Sequence, residues 1–265
     1  MNFKTKGIVL KQKNYLENQK YLNILTPKNG ILNVKLKINA KITKNIFSNI
    51  YVSGFYEFNL FCGQYGNVVD DVEEIEQFFN LRFFPEKLAL AQYFCELSYI
   101  LNLPATKAKE QLNLLLSSVW LLEKEKVSLE FIKAVFELKL ISFSGHMPNL
   151  VCCKFCCSYE KEDMFFNIYQ SFLVCKDCFE KVEQKNGFLK LSKAVLYAMR
   201  FIIYKDGKDI FKFKLEKSHL DLLGEVIEKS ILSIIEKEPL TLKIYKEFKE
   251  EFKVWWDFLK KLLIF

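Results

Sequence analysis

Four cysteines set the tightest limit on how this chain can fold. Cys153-Lys154-Phe155-Cys156 and Cys175-Lys176-Asp177-Cys178 form two C-x2-C pairs with 18 residues between them. This is the spacing of a four-thiolate zinc site. Each pair presents two sulfurs to one metal, and the intervening segment is long enough for a hairpin that returns the second pair to the first. Zinc favours a closed tetrahedron of four thiolates with no open position, so such a site is structural. Cys152 and Cys157 flank the first pair and leave the choice of ligands open, and the spacing alone also fits an iron–sulfur centre. Buried apolar thiols account for Cys62 and Cys95 but not for two C-x2-C pairs. No βαβ pattern surrounds either pair, which disfavours a redox motif. His146, between Gly145 and Pro148, is a fifth candidate ligand in what reads as a loop.

Charge is distributed unevenly. The cations are lysines apart from Arg82 and Arg200, and residues 1–50 hold ten lysines against one acid, Glu17. Residues 51–77 hold six acids and no lysine or arginine. The first fifth of the chain is therefore a candidate polyanion surface. Lysine is a point charge suited to phosphate, whereas bidentate reading of base edges prefers arginine, so sequence-independent nucleic-acid binding is expected. Lys35 and Lys37 project from one face of a strand whose other face is Leu32, Val34, Leu36 and Ile38. Lys41 and Lys44 follow in a predicted loop, and Lys11, Lys13 and Lys20 lie near the first two strands. An ordinary solvated face is the competing reading for any one of these. Tyr15, Tyr21, Phe47 and Tyr51 are candidate base-stacking residues, although core packing is the commoner use of such side chains.

The hydropathy pattern changes period part-way along. Gly7–Leu10, Tyr21–Leu25, the alternating run 32–38, Tyr56–Leu60 and Val68-Val69 read as five short strands, with Thr26-Pro27-Lys28-Asn29-Gly30 as a turn. This suits a small OB-like barrel. From Pro85 the period becomes helical, with helices predicted over Glu86–Leu103, Leu112–Leu122, Leu129–Phe143, Ser192–Tyr204, Ser218–Glu236 and Thr241–Phe265. The aromatic end, Val254-Trp255-Trp256 to Phe265, reads as a core-packing helix.

Hydrophobic residues make up 51% and charged residues 27% of the chain, enough for a packed core. No apolar run is long enough for a membrane helix and no secretory signal is visible. A cytoplasmic protein without membrane association is expected. There is no P-loop, G-x-G-x-x-G or G-x-S-x-G, and neither Glu73-Glu74 nor Glu250-Glu251 resembles a carboxylate dyad. An enzyme is therefore not expected.

The order of features resembles the RecO family of bacterial recombination mediators. Gly7-Ile8-Val9-Leu10, Tyr15-Leu16-Glu17-Asn18, Leu25-Thr26-Pro27-Lys28-Asn29-Gly30 and Phe55-Tyr56-Glu57-Phe58 are similar to its opening strands and turn. Pro148-Asn149-Leu150-Val151 with Cys153, Cys156, Leu173-Val174, Cys175 and Cys178 is similar to its zinc module. Two departures stand out: Cys157 occupies a position where the family usually has Gly, and the segment Lys35–Lys41 lacks the family's Arg and Gly. The expected fold is a multidomain α+β chain. It comprises an OB-fold β-barrel (1–78), an α-helical domain (79–148 and 181–265) and an inserted four-Cys zinc module (149–180). The resemblance implies DNA repair by homologous recombination in the RecFOR pathway. It implies binding of single- and double-stranded DNA, strand annealing, engagement of the C-terminal tail of single-strand binding protein (SSB), and action with RecR to load RecA. The expected site residues are Lys11, Lys13, Lys35, Lys37, Lys41 and Lys44 for DNA and Cys153, Cys156, Cys175 and Cys178 for zinc. The alternatives are another nucleic-acid-binding zinc protein, of transcription or RNA processing, and an enzyme with a structural zinc.

Overall fold

A computed structural model describes residues 2–64, 66–103, 105–124 and 127–262, with 252–262 described by backbone only. By packing, the chain divides into two compact units, Met1–Glu125 with Glu238–Phe265 and Lys126–Lys237. The first joins the N-terminal β structure to three of the long helices.

Five strands form a closed barrel: β1 (Asn2–Leu16), β2 (Gln19–Thr26), β3 (Gly30–Lys37), β4 (Phe55–Gly63) and β5 (Gly66–Glu76). Their order is β1-β2-β3-β5-β4, closing on β1, with β3 and β5 parallel and the remaining pairs antiparallel. This is the arrangement expected of an OB barrel. The period-two run works as predicted: Val34 and Leu36 are fully buried, and Lys35 and Lys37 point outward. Val34 and Leu36 join Val9, Leu22, Ile24, Phe58 and Leu60 in the core. The β2–β3 turn uses Gly30 at φ +67°, and the Thr26 hydroxyl donates to the Gly30 carbonyl at 2.9 Å. A short helix, α1 (Lys44–Ser48), links β3 to β4, and Ile42, Phe47 and Ile50 around it pack into the barrel core.

The strands run longer than the sequence suggests. β1 extends beyond Leu10 to Leu16, and β5 spans Gly66–Glu76 where the hydropathy pattern marks only Val68-Val69 and misses the buried Val72. Residues 11–16 are exposed on both faces, so this end of β1 carries no alternation. Lys44 opens α1 rather than lying in a loop. Cys95 is buried as expected, but Cys62 is exposed on β4.

The same unit holds α2 (Pro85–Leu101), α3 (Ala108–Lys124) and α8 (Leu240–Leu262). Pro85 sits in the first turn of α2, where its missing N–H costs nothing. Glu96 of α2 accepts from the Thr241 hydroxyl at 2.5 Å and its amide at 3.3 Å, tying down the start of α8. The side chains of the aromatic C-terminus lie outside the described residues.

The second unit contains α4 (Leu129–Phe143), β6 (Asn149–Cys153), β7 (Met164–Asn167), β8 (Phe172–Cys175), α5 (Lys176–Phe179), β9 (Phe188–Leu191), α6 (Lys193–Tyr204) and α7 (Lys217–Ile235). The strands form one sheet in the order β6-β8-β7-β9. Helix α4 is buried over most of its surface, and its Lys133 bridges Glu137 at 2.8 Å and Glu228 of α7 at 2.7 Å. Desolvation alone would lower the Lys133 pKa, but the two carboxylates hold it above its ordinary value. Lys139 donates to the Ile203 and Lys205 carbonyls and so caps the C-terminal end of α6.

Candidate nucleic-acid interface and metal centre

Antiparallel register builds the lysine face. Lys13 of β1 lies opposite Tyr21 of β2, which lies opposite Lys35 of β3. On one side of this row stand Lys11, Asn23 and Asn33, and on the other Leu16, Gln19 and Lys37. Two pairs of lysines some twenty residues apart, Lys11 with Lys13 and Lys35 with Lys37, thus share the outer surface of one three-stranded sheet. Lys35 Nζ lies 5.7 Å from the Tyr21 ring centre and 6.0 Å from that of Tyr15, within cation–π range. Lys11 Nζ lies 5.2 Å from the ring of Tyr99 on α2.

The other candidate cations are placed differently. Lys41 Nζ is bonded to Asp70 at 2.7 Å, and that hydrogen bond and charge raise its pKa. Lys44 is exposed at the start of α1. Lys20 is buried, with Nζ 3.4 Å from the Ile50 carbonyl and 4.4 Å from the Phe47 ring centre, and desolvation lowers its pKa. Phe47 therefore belongs to the barrel end. Tyr51 is covered by Arg82, whose guanidinium carbon is 3.9 Å from its ring centre. Of the four aromatic candidates, only Tyr15 is largely exposed, at 63%.

The acids of 51–77 occupy β4 and β5. Glu57 lies opposite Glu73, and Asn59 opposite Asp71. Like charges directly opposed destabilise a pair of strands, and Lys4 offsets one of them, at 3.9 Å from Glu57. The barrel is thus two-sided, with a polyanion-attracting surface on β1–β3 and a repelling one on β4–β5.

The second unit gathers the cysteines. The Sγ atoms of Cys153, Cys156, Cys175 and Cys178 all lie within 4.8 Å of one another. Cys153 ends β6 and Cys175 ends β8, and β6 and β8 are neighbours. The β7–β8 hairpin supplies the return. Its turn is held by Asn167 Oδ1, which accepts from the amides of Tyr169 (3.0 Å) and Gln170 (2.9 Å). Around the first pair, the Cys157 amide donates to the Cys153 carbonyl at 3.0 Å, and the Cys153 amide to the Ser158 carbonyl at 2.9 Å. That tight turn puts Cys157 at φ +58°, the left-handed region that favours glycine. The Gly-to-Cys departure therefore falls at a position where a side chain is strained.

Hydrogen bonding with the side chain and then the backbone of Ser158 is the main cause holding the Cys156 pKa down to about 6. Desolvation, followed by hydrogen bonds with the three neighbouring thiols, pushes Cys178 up to about 12. Four sulfurs this close cannot all ionise without a cation among them, and a divalent metal removes that conflict. Cys152 and Cys157 stand outside the four and are hydrogen-bonded to each other. His146 is also outside, with Nδ1 3.2 Å from Ser144 Oγ. Around the centre, the Phe165 and Phe179 rings stack at 4.0 Å. Arg200 of α6 donates to the carbonyls of Leu150, Val151 and Tyr159, fixing the strand and loop that carry the first pair.

A family model described as "Recombination protein O C terminal" matches residues 82–243. The chain belongs to the RecO family. It is 28% identical to the DNA repair protein RecO of Acetivibrio thermocellus over 247 residues, covering 93% of this chain and 97% of that protein. It is 28% identical to the DNA repair protein RecO of Alkaliphilus metalliredigens over 232 residues, covering 88% of this chain and 93% of that protein. The RecO relative of Clostridium novyi is 24% identical over 255 residues, covering 93% and 94%. RecO membership makes this a DNA repair and recombination protein of a non-enzymatic mediator family. Among the described residues, no helix is long and apolar enough to cross a membrane.

Proposed function

We propose that this chain is an ATP-independent DNA-annealing mediator of homologous recombination. It binds single- and double-stranded DNA without sequence specificity through the lysine face of β1–β3. It engages the acidic, apolar tail of SSB and, with RecR, promotes RecA loading in the cytoplasm. In this reading residues 1–78 are the DNA-binding part. Residues 149–180 are a module inserted in the helical part and held by zinc on Cys153, Cys156, Cys175 and Cys178. Four thiolates with no open position suit a structural ion rather than a reactive one.

The observation that carries the reading is the cross-strand gathering of Lys11, Lys13, Lys35 and Lys37 on one surface in a RecO-family chain. Lysine-dominated contacts give a strong, salt-dependent, sequence-tolerant attraction to the phosphate backbone. The test is annealing of complementary oligonucleotides coated with SSB, without ATP. Acceleration by the wild-type chain is expected, with loss on deletion of the SSB tail or on combining Lys35→Glu with Lys37→Glu. No acceleration by a folded, metal-loaded chain would leave a general zinc-containing nucleic-acid binder as the better reading.

A further inference from the structure

The lysine face accounts for attraction to any polyanion, but it does not use the exposed ring beside it. Tyr15 is the unpaired residue of a β-bulge, lying between the pairs Asn14–Lys20 and Leu16–Gln19. Bulges re-aim a side chain at the cost of a regular ladder. This one leaves a tyrosine 63% exposed, although an aromatic side chain gains more from burial than almost any other. The ring does not lie loose. It meets Tyr21 edge-on, with centroids 5.7 Å apart and planes at 73°, and Tyr21 is fixed in the row between Lys13 and Lys35. Lys35 Nζ lies about equally far from both rings.

We propose that Tyr15, braced by Tyr21 and flanked by Lys35, is a base-stacking platform that makes this face prefer unpaired over paired DNA. The inference rests on the lysine face being the DNA site and adds which form of DNA that face selects. An unpaired strand offers the π-face of each base, and stacking on an aromatic side chain is indifferent to base identity. A duplex keeps those faces inside its own stack and offers this surface only phosphates. Lys35 beside the ring, and Lys13 across Tyr21 from Lys35, hold the flanking backbone while the ring takes the base. Stacking then discriminates between strands, and the lysines supply affinity common to both.

The test uses the full chain, Tyr15→Ala and Tyr15→Phe, and three probes at one salt concentration: oligo-dT, an abasic oligomer of equal length, and a duplex of equal length. Fluorescence anisotropy should show Tyr15→Ala losing about tenfold in affinity for oligo-dT. Its affinity for the abasic oligomer and the duplex should be unchanged, and Tyr15→Phe should match wild type on all three. Equal losses on all three probes, or no loss on oligo-dT, would overturn the proposal. The Lys35→Glu, Lys37→Glu double variant separates the two levels. If it weakens every probe while Tyr15→Ala weakens none, the lysine face stands and the platform falls. If it weakens none, both fall. Tyr15 is a surface residue, so Tyr15→Ala should keep its circular dichroism and bound metal.

Discussion

The barrel of residues 2–76 and the four-stranded sheet of residues 149–191 are both small β structures, but they are held together by different means. In the barrel every strand has two hydrogen-bonded neighbours, so no edge is left open. Its cohesion is spread over a continuous apolar core. In the sheet the strands are four or five residues long, and β6 and β9 are edges. A segment of only about 40 residues buries little apolar surface of its own. Here a smaller apolar set, including Leu150, Phe166, Leu173 and Val174, is joined by one sulfur cluster, stacked phenylalanines and the three carbonyl contacts of Arg200. Area tolerates local damage, whereas a single coordination point does not.

The largest expected effect follows from that contrast. Cys175→Ser, or removal of the metal by a chelator, should abolish the module. Structural zinc contributes an apparent ~10–16 kcal/mol in small zinc domains, and that binding energy is folding energy. Metal analysis should fall from one zinc per chain to none. Hydrogen exchange should show protection lost over 149–191 while barrel amides stay protected. Cys152→Ser should retain the metal; its loss there would mean that a different set of thiols ligates. A core truncation makes the reciprocal experiment. Phe58 is fully buried in the barrel, and Phe58→Ala should cost ~3–5 kcal/mol. Denaturant unfolding should show that loss, with metal content unchanged. If Phe58→Ala also releases the metal, the two regions are not independent in their stability.

The same contrast explains what could be read from the sequence. The four-cysteine cluster was legible because its thiols come in local pairs; spacing left Cys152 and Cys157 as alternatives, and only packing singles out the four that meet. The strand Leu32–Lys37 was legible because one face is buried and the other is not. The end of β1 was not, because Lys11–Leu16 has no buried face and so no period. Helix α1 left no pattern either, being five residues long with none buried. The lysine face was half legible. Its charge is visible in composition, but the row Lys13–Tyr21–Lys35 exists only through register, which depends on where the β1–β2 and β2–β3 turns fall. Sequence also suggested that Tyr15 and Tyr51 were equivalent, and only packing separates an exposed ring from one covered by Arg82.

The smallest effect probes where the attracting surface of the barrel meets the repelling one. Lys41 and Asp70 face each other across that boundary at 2.7 Å. Both are exposed, and exposed pairs contribute little to folding, so neither Lys41→Ala nor Asp70→Asn should change the unfolding midpoint. Their effect should appear in binding. With Asp70 present, the Lys41 ammonium is partly neutralised before DNA arrives, so Lys41→Ala should weaken DNA binding less than Lys35→Ala does. Asp70→Asn removes the competitor and one repelling charge together. It should tighten binding at low salt and steepen the salt dependence by up to about 0.9, one phosphate contact. A salt series of anisotropy titrations reads both quantities. If Asp70→Asn changes neither, Lys41 lies outside the DNA interface, and the attracting surface ends at β3.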